Sequence, residues 1–244
     1  MRIGMVGLGR MGGNMSVRLL RHEHSPVGYA RGVASREAVA QQGVEVVETL
    51  DALVAALEPP RAIWLMVPSG APTESVLGSL RESLADGDLV VDGGNSYFRD
   101  SVRHARALGE RGIRFVDAGV SGGVWGLENG YCMMVGGEGR DVDTLRPVLD
   151  ALAPPRGWSH VGPHGAGHFV KMVHNGIEYG LMQAYAEGFE IMRASEFGID
   201  LRDVAGIWRY GSVVRSWLRD LLYAAFEQEG NELERIAGYV QDSG

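Results

Sequence analysis

Apolar and polar positions alternate with two different periods along the first two-thirds of the chain. Short β-branched or apolar runs predict strands at Ile3 to Val6, Pro26 to Ala30, Val44 to Val47, Ala62 to Val67, Leu89 to Asp92, Phe115 to Ala118 and Tyr131 to Val135. Between them lie stretches with helical spacing, such as Met11, Met15 and Leu19 at i, i+4 and i+8, and Thr73 to Leu84, each ended by Gly, Asp or Pro. Strands alternating with amphipathic helices predict the α/β class, with a doubly wound, mostly parallel sheet.

Two turn-rich segments, Ala153-Pro154-Pro155-Arg156-Gly157 and Gly162-Pro163-His164-Gly165, punctuate the chain. They predict a boundary, with a dinucleotide-type domain over 1–165 and an all-α domain over 166–244. From Gly167 to Phe197 there is no proline, and the pattern predicts one long helix of about 45 Å at ~1.5 Å per residue, followed by two or three shorter ones. The long helix is apolar on several faces, with Phe169, Val173, Ile177, Leu181, Phe189 and Met192, so it is expected to be buried on more than one side. The short helices after it offer too little cover, and the remainder is expected to pack against a second copy in a homodimer.

Composition narrows the function classes. The net charge of −8 over 244 residues, with no long basic run, excludes a nucleic-acid partner. The longest stretch without an ionised Asp, Glu, Lys or Arg, Gly157 to Val170, holds three histidines and a proline, so no membrane span is predicted. Glycine, at 36 residues, is about twice its usual ~7% share, which points to sharp turns and close approaches of backbone to ligand. The single cysteine, Cys132, sits in an apolar run with no second thiol, so a cytoplasmic setting and a buried core position are expected.

Gly7-Leu8-Gly9-Arg10-Met11-Gly12 follows the first strand directly and opens a helix, the context required of a dinucleotide fingerprint and hence of a Rossmann-type domain. The first glycine turns tightly, the second admits a pyrophosphate, and the third packs helix on strand. The helix N-terminus adds N–H donors and a positive dipole end. Val67, at the end of the fourth strand, is a further cofactor-side candidate. Where an NAD enzyme places an acid on the ribose, the second strand ends in Ala30, and Arg31 follows. Two readings stand for Arg31: a partner for a 2′-phosphate, which leans the cofactor from NAD toward NADP, or a solvated surface arginine.

Asp92-Gly93-Gly94-Asn95-Ser96 lies where the fifth strand ends, so Asn95 either reaches cofactor or substrate or simply makes an Asx turn. Asp117-Ala118-Gly119-Val120-Ser121-Gly122-Gly123 again places a hydroxyl and bare backbone after a strand, where N–H groups can receive a carboxylate. The sharpest signal is in the long helix: Lys171 and Glu178 lie seven residues apart, about 10 Å along one face, with His174 and Asn175 between them. Such a polar stripe on an apolar helix needs partners, and two readings stand: a polar ligand supplies them, or the face pairs with other side chains or water.

These residue types suit oxidation of a secondary alcohol. A lysine desolvated in a pocket can be neutral near pH 7 and take the hydroxyl proton while hydride leaves for a nicotinamide. If the alcohol is β to a carboxylate, the β-keto acid formed loses carbon dioxide to an enol, and a second acid, Glu178, is placed to protonate carbon. No metal is called for.

These motifs resemble the β-hydroxyacid dehydrogenases, and within them the short, decarboxylating form of the 6-phosphogluconate dehydrogenase family. The resemblance rests on Gly-Leu-Gly-Arg-Met-Gly at 7–12, Gly-Gly-Asn-Ser at 93–96, Val-Ser-Gly-Gly-Val-Trp-Gly-Leu-Glu-Asn-Gly at 120–130, and Gly-His-Phe-Val-Lys-Met-Val-His-Asn-Gly-Ile-Glu-Tyr at 167–179. The last is the most specific, since the wider superfamily generally shows Lys-x-x-Asn-Asn. The resemblance implies oxidative decarboxylation of a sugar-acid phosphate, 6-phosphogluconate, to ribulose 5-phosphate with reduction of NAD(P). It makes Lys171 the base and then acid, and Glu178 the second acid. Asn95, Ser121, Gly122, Gly123, His174 and Asn175 would hold the sugar acid, and Tyr179 would touch its phosphate. The chain departs from the family at Ala30, and again at Asp242-Ser243-Gly244, where the family continues through helices carrying basic phosphate ligands. An incomplete helical domain is therefore expected. Arg209 or Arg215 would have to serve the phosphate, although Arg215 could equally cap or solvate the next helix. A hydroxyacid dehydrogenase or imine reductase without decarboxylation, and a non-catalytic dinucleotide sensor, are the alternatives.

Overall fold

The computed structural model describes residues 1–233 and 235–237, so the terminal Asp242-Ser243-Gly244 lies outside the described residues. The chain divides into two compact units, the first spanning Met1–Met172 and the second beginning at Val173.

The first unit is an eight-stranded sheet wound by helices. In chain order the elements are β1 (Arg2–Val6), α1 (Arg10–Arg21), β2 (Ser25–Tyr29), α2 (Val33–Ala40), β3 (Glu45–Val47), α3 (Leu50–Ala55), β4 (Ala62–Leu65), α4 (Ala71–Ser83), β5 (Leu89–Asp92) and α5 (Phe98–Gly109). There follow β6 (Arg114–Ser121), a 3-10 turn at Gly123–Trp125, α6 (Gly126–Asn129), β7 (Cys132–Gly137), α7 (Gly139–Leu152), β8 (Trp158–Gly162) and the start of α8 (Ala166–Arg193). The strand order is β3-β2-β1-β4-β5-β6-β7-β8. All neighbours are parallel except β6 and β7, which run antiparallel with Ser121 opposite Cys132.

Each face of the sheet has its own core, because alternate strand residues point to opposite sides. On one side Ile3, Met5, Trp64, Val91, Val116, Ala118, Met133 and Val135 pack with Met15 and Leu19 of α1 and Leu145, Val148 and Leu149 of α7. On the other, Val6, Val27, Ile63, Leu65, Val90 and Phe115 pack with Leu53 of α3, Leu77 and Leu80 of α4 and Leu108 of α5. Burial of each such Leu, Ile or Phe contributes ~1.5–3 kcal/mol, so both layers are firmly attached. The sheet order reverses at β1 and β4, and a doubly wound sheet opens its ligand crevice at the carboxyl ends of the strands there.

The second unit contains the rest of α8, then α9 (Leu201–Ile207) and α10 (Trp217–Glu229). Asp200 caps α9 by accepting from the Arg202 and Asp203 N–H groups, and Ser216 caps α10 by accepting from the Arg219 N–H. Phe189, Leu201, Ala205 and Phe226 form its small core, with the Phe189 ring 5.6 Å from that of Trp208. Arg219 is fully buried and donates to the Ala205 carbonyl and to Asp220.

Three sequence expectations change. The segment between the two turn-rich stretches forms β8, an edge strand that pairs with β7. Its Trp-Ser-His-Val-Gly run is partly or wholly exposed along its length, so it lacks the apolar pattern that marks the interior strands. Cys132 is exposed rather than buried: it opens β7 on the face opposite Met133, which takes the core position. Finally, α8 is less covered than its composition implies. Phe169, Met172, Val173, Ile177 and Leu181 are all exposed, Ile177 by 60%. Lys171, His174, Asn175 and Glu178 are half-buried. The apolar pattern registered which faces favour cover, and the single chain leaves them to solvent.

Candidate functional site

The fingerprint has the shape its glycines predict. Gly7 adopts φ +97°, and a Cβ there would collide with the Met66 carbonyl oxygen. A Cβ at Gly12 would collide with the Gly7 carbonyl oxygen, so α1 presses directly on the turn. Gly9 is different: no atom lies within 4 Å of where its Cβ would be, which leaves open space in front of the backbone. Gly9 is also the N-cap of α1, with no side-chain cap and no acid in the first turn. A helix N-terminus with unsatisfied N–H groups and an open approach fits the pyrophosphate of a dinucleotide. Leu8 is buried and packs below Gly28, so it can serve a cofactor only through its main chain; Arg10 is exposed and Met11 half-buried. Val67, two residues beyond β4, packs its Cγ1 beside Gly7.

Arg31 is exposed at the end of β2, beside the half-buried Ala30. After β5, Asp92 accepts from the Gly94 N–H at 3.0 Å, and Gly94 lies close under the Val67 carbonyl, which places the half-buried Asn95 loop next to the cofactor crevice.

The strand β6 carries the second arm of the site. Asp117, Gly119 and Ser121 project from one face of it, by the two-residue period of a strand. Asp117 is fully buried and accepts from the Gly165 N–H at 2.6 Å and the His168 N–H at 2.9 Å, gripping the first turn of α8. That negative charge at the N-terminal end of a helix is electrostatically favourable. Gly119 and Gly167 then let the helix lie on the strand, because a Cβ at Gly167 would strike the Asp117 and Met134 carbonyl oxygens and one at Gly119 would strike the Cβ of Lys171. Lys171 is thereby seated one helical turn beyond the clamp, over the strand that ends at Ser121 and is followed by Gly122 and Gly123. The last two take φ +128° and +51°, and Gly123 faces open space.

A third support comes from α5. Its buried Ser101 hydroxyl lies 2.7 Å from His168 Nδ1, and the Phe98 and Phe169 rings meet edge to face at 5.2 Å. From the opposite side, Arg18 of α1 donates to the Ala151 and Leu127 carbonyls at 2.9 and 3.1 Å, which ties the cofactor helix to the segment after Gly123. Sequence reasoning missed Asp117, Ser101, His168 and Arg18 as supports. Asp117 stood inside a motif already singled out, but its partner lay 48 residues away.

Within the second unit α8 continues the polar stripe. His174 Nδ1 lies 3.3 Å from Asn175 Oδ1 and 3.7 Å from Glu178 Oε2, so the imidazole bridges these two side chains. Tyr179 is exposed. Of the two basic residues expected near a phosphate, Arg209 is engaged, 3.3 Å from Asp220 and over the Tyr223 ring at 4.7 Å. Arg215 is exposed, and Ser216 rather than Arg215 caps α10. The Tyr185 hydroxyl donates to the Val214 carbonyl at 2.7 Å, which holds the Arg215 loop to α8.

Comparison with known proteins agrees with this geometry. The family model described as the NAD binding domain of 6-phosphogluconate dehydrogenase matches residues 2–162, and that of the 6-phosphogluconate dehydrogenase C-terminal domain matches 167–196. An NAD(+)-dependent, decarboxylating 6-phosphogluconate dehydrogenase of Haloferax volcanii is 44% identical over 241 residues, covering 98% of this chain and 80% of that protein. An NADP(+)-dependent, decarboxylating enzyme of Bacillus subtilis is 36% identical over 242 residues, covering 95% of this chain and 51% of that one. Among solved structures, Plasmodium falciparum 6-phosphogluconate dehydrogenase superposes with a TM-score of 0.87 at 28% identity, over 94% of this chain and 51% of that chain. A 3-hydroxyisobutyrate dehydrogenase of Mycobacterium tuberculosis gives 0.76 at 26% identity, over 88% of this chain and 72% of that chain. The chain thus spans about four-fifths of the Haloferax relative and about half of the longer ones. With the fingerprint crevice, the lysine seated on β6 and both family models in register along the sequence, the chain belongs to the 6-phosphogluconate dehydrogenase family.

Proposed function

We propose that the chain oxidises and decarboxylates 6-phosphogluconate to ribulose 5-phosphate and carbon dioxide, with the dinucleotide held by 1–165 and the helical part, 166–244, serving substrate and dimer. The reading rests on one juxtaposition, Lys171 seated over Gly119 on the strand that leads into Ser121-Gly122-Gly123. When bound, the dinucleotide supplies the hydride acceptor. Gly7, Gly9 and Gly12 would hold its pyrophosphate, with Leu8, Arg10, Met11, Val67 and Asn95 around it. Lys171 Nζ, in its neutral form, takes the proton of the substrate alcohol as that carbon is oxidised. The β-keto acid then releases its carboxylate as carbon dioxide, and Lys171 returns the proton to the oxygen of the enediol. Glu178 delivers a proton to carbon while Lys171, neutral again, takes back the proton of the enediol hydroxyl, completing the ketone, and His174, 3.7 Å away, orients the Glu178 carboxyl. Asn95, Ser121, Gly122, Gly123, His174 and Asn175 hold the sugar acid, and Tyr179 touches its phosphate.

NADP is the proposed cofactor over NAD, with Arg31 on the 2′-phosphate and no acid at Ala30 to repel it. No helix among the described residues is long and apolar enough to cross a membrane, and a cytoplasmic setting is the reading favoured here. A homodimer is also proposed: Phe169, Met172, Val173, Gly176, Ile177, Gly180 and Leu181 recur at i, i+3, i+4, i+7, i+8, i+11 and i+12 as one exposed seam, with open space at both glycines. Incubation with 6-phosphogluconate and each dinucleotide, following absorbance and released carbon dioxide, tests the reaction. Dinucleotide reduction without carbon dioxide would instead mark a hydroxyacid dehydrogenase, and binding without turnover a sensor. Sedimentation of the same chain tests the dimer, and a monomer with full activity would defeat it.

A further inference from the structure

The β2–α2 connection holds a second arginine that the reaction does not use. Arg36, in the first turn of α2, folds back along its own helix, as the tilt of side chains toward a helix N-terminus favours. Its Nη1 donates to the Ala30 carbonyl at 2.6 Å and to the Arg31 carbonyl at 3.1 Å. Its own N–H meets the Gly32 carbonyl at 3.3 Å, so both ends of the connection are tied to one residue. Between Tyr29 and Arg36 the chain has two arginines and no acid.

Two consequences follow from charge and dipole. Carbonyl oxygens at the end of a strand present partial negative charge to whatever approaches, and Arg36 offsets two of them beside the position of the missing acid. The guanidinium also fixes the Ala30–Arg31 peptide, so Arg31 leaves the strand from an ordered backbone and loses less freedom on meeting a ligand. We propose that Arg36 is the positioning residue for 2′-phosphate selectivity: by holding the Ala30 and Arg31 carbonyls it presents Arg31 and adds a second positive charge, favouring the phosphorylated dinucleotide. The proposal deepens, and rests on, the assignment of Arg31 to that phosphate.

The experiment is titration of the whole chain with NADP and with NAD, for the wild type, Arg31→Ala, Arg36→Met and Arg36→Lys, with thermal unfolding of each. Arg36→Met is expected to weaken NADP binding about tenfold, the equivalent of ~1.4 kcal/mol, while NAD changes by less than about twofold. Arg36→Lys, which keeps both charge and donors, should restore most of the preference. An equal fall in both affinities, or an unchanged ratio in Arg36→Met while Arg31→Ala collapses it, overturns the role of Arg36 and leaves Arg31 standing. A wild type that binds NAD as tightly as NADP, or an Arg31→Ala variant with an unaltered ratio, overturns the Arg31 assignment and this proposal with it.

Discussion

Lys171 lies directly on Gly119, so closely that the strand residue has no room for a methyl group. The contact fixes the height of the lysine above β6, and Asp117, two residues earlier, fixes the start of the helix that carries it. Gly119→Ala is therefore expected to lift α8 from the strand. Overpacking of this kind costs ~1–3 kcal/mol, and turnover should fall far more than dinucleotide affinity, because Gly7 to Gly12 lie in the β1–α1 turn and the start of α1. Turnover at wild-type level in Gly119→Ala would show that the seat does not matter.

Lys171→Met should abolish dinucleotide reduction, by a factor on the order of 10²–10⁴, and leave the dinucleotide Kd unchanged, since only the proton acceptor is lost. Glu178→Gln keeps shape and hydrogen bonding but removes the acid, so hydride transfer should survive better than ketone formation. Stopped-flow absorbance set beside product assay separates the steps. If both fall equally and no intermediate is released, the two residues do not divide the work.

Cys132 gives a chemical probe of the same surface. It is the only cysteine of the chain, it is exposed, and it sits opposite Ser121 in the β6–β7 register, where side chains stand ~4.5–5.5 Å apart. A bulky maleimide there is expected to raise KM for 6-phosphogluconate several-fold and to leave dinucleotide binding untouched. An unaltered KM in fully labelled protein would place the substrate elsewhere.

Glu74 on α4 joins α5 through Arg103 and through His104, whose Nε2 is 2.8 Å from Glu74 Oε1. Hydrogen bonds from Arg103, with His104 adding to them, hold the Glu74 carboxyl down at about 2, against the usual 4.5. A depressed carboxyl stabilises the fold above its unfolded pKa and loses that contribution as pH falls through 4.5 toward 2. The side chain is 44% exposed, so the contribution is within ~1 kcal/mol. Urea midpoints of wild type and Glu74→Gln should differ at pH 7 and converge as the pH is lowered below 4.5. A gap that is constant with pH would remove the charge from the explanation.

Local pattern sufficed for much of this protein. Seven of the eight strands, the fingerprint turn at Gly7 to Gly12 and the helix bearing Lys171 and Glu178 were legible, because alternation and helical spacing report burial over a few neighbouring residues. The edge strand Trp158–Gly162 was not, since a strand that buries little carries little apolar signal. The exposure of Cys132 escaped for a related reason: which face of β7 meets the core depends on its register with β6, and an apolar run has no register of its own. The clamp of Asp117 on Gly165 and His168, the seat of Lys171 on Gly119 and the Ser101 contact with His168 join residues 48 to 67 positions apart. Glycine and aspartate in a turn motif look alike in sequence whether they serve the turn or a distant helix. Only the packing of α8 across β6 and β7 decides between those uses, because it alone determines which backbone N–H groups stand within reach of a buried carboxylate.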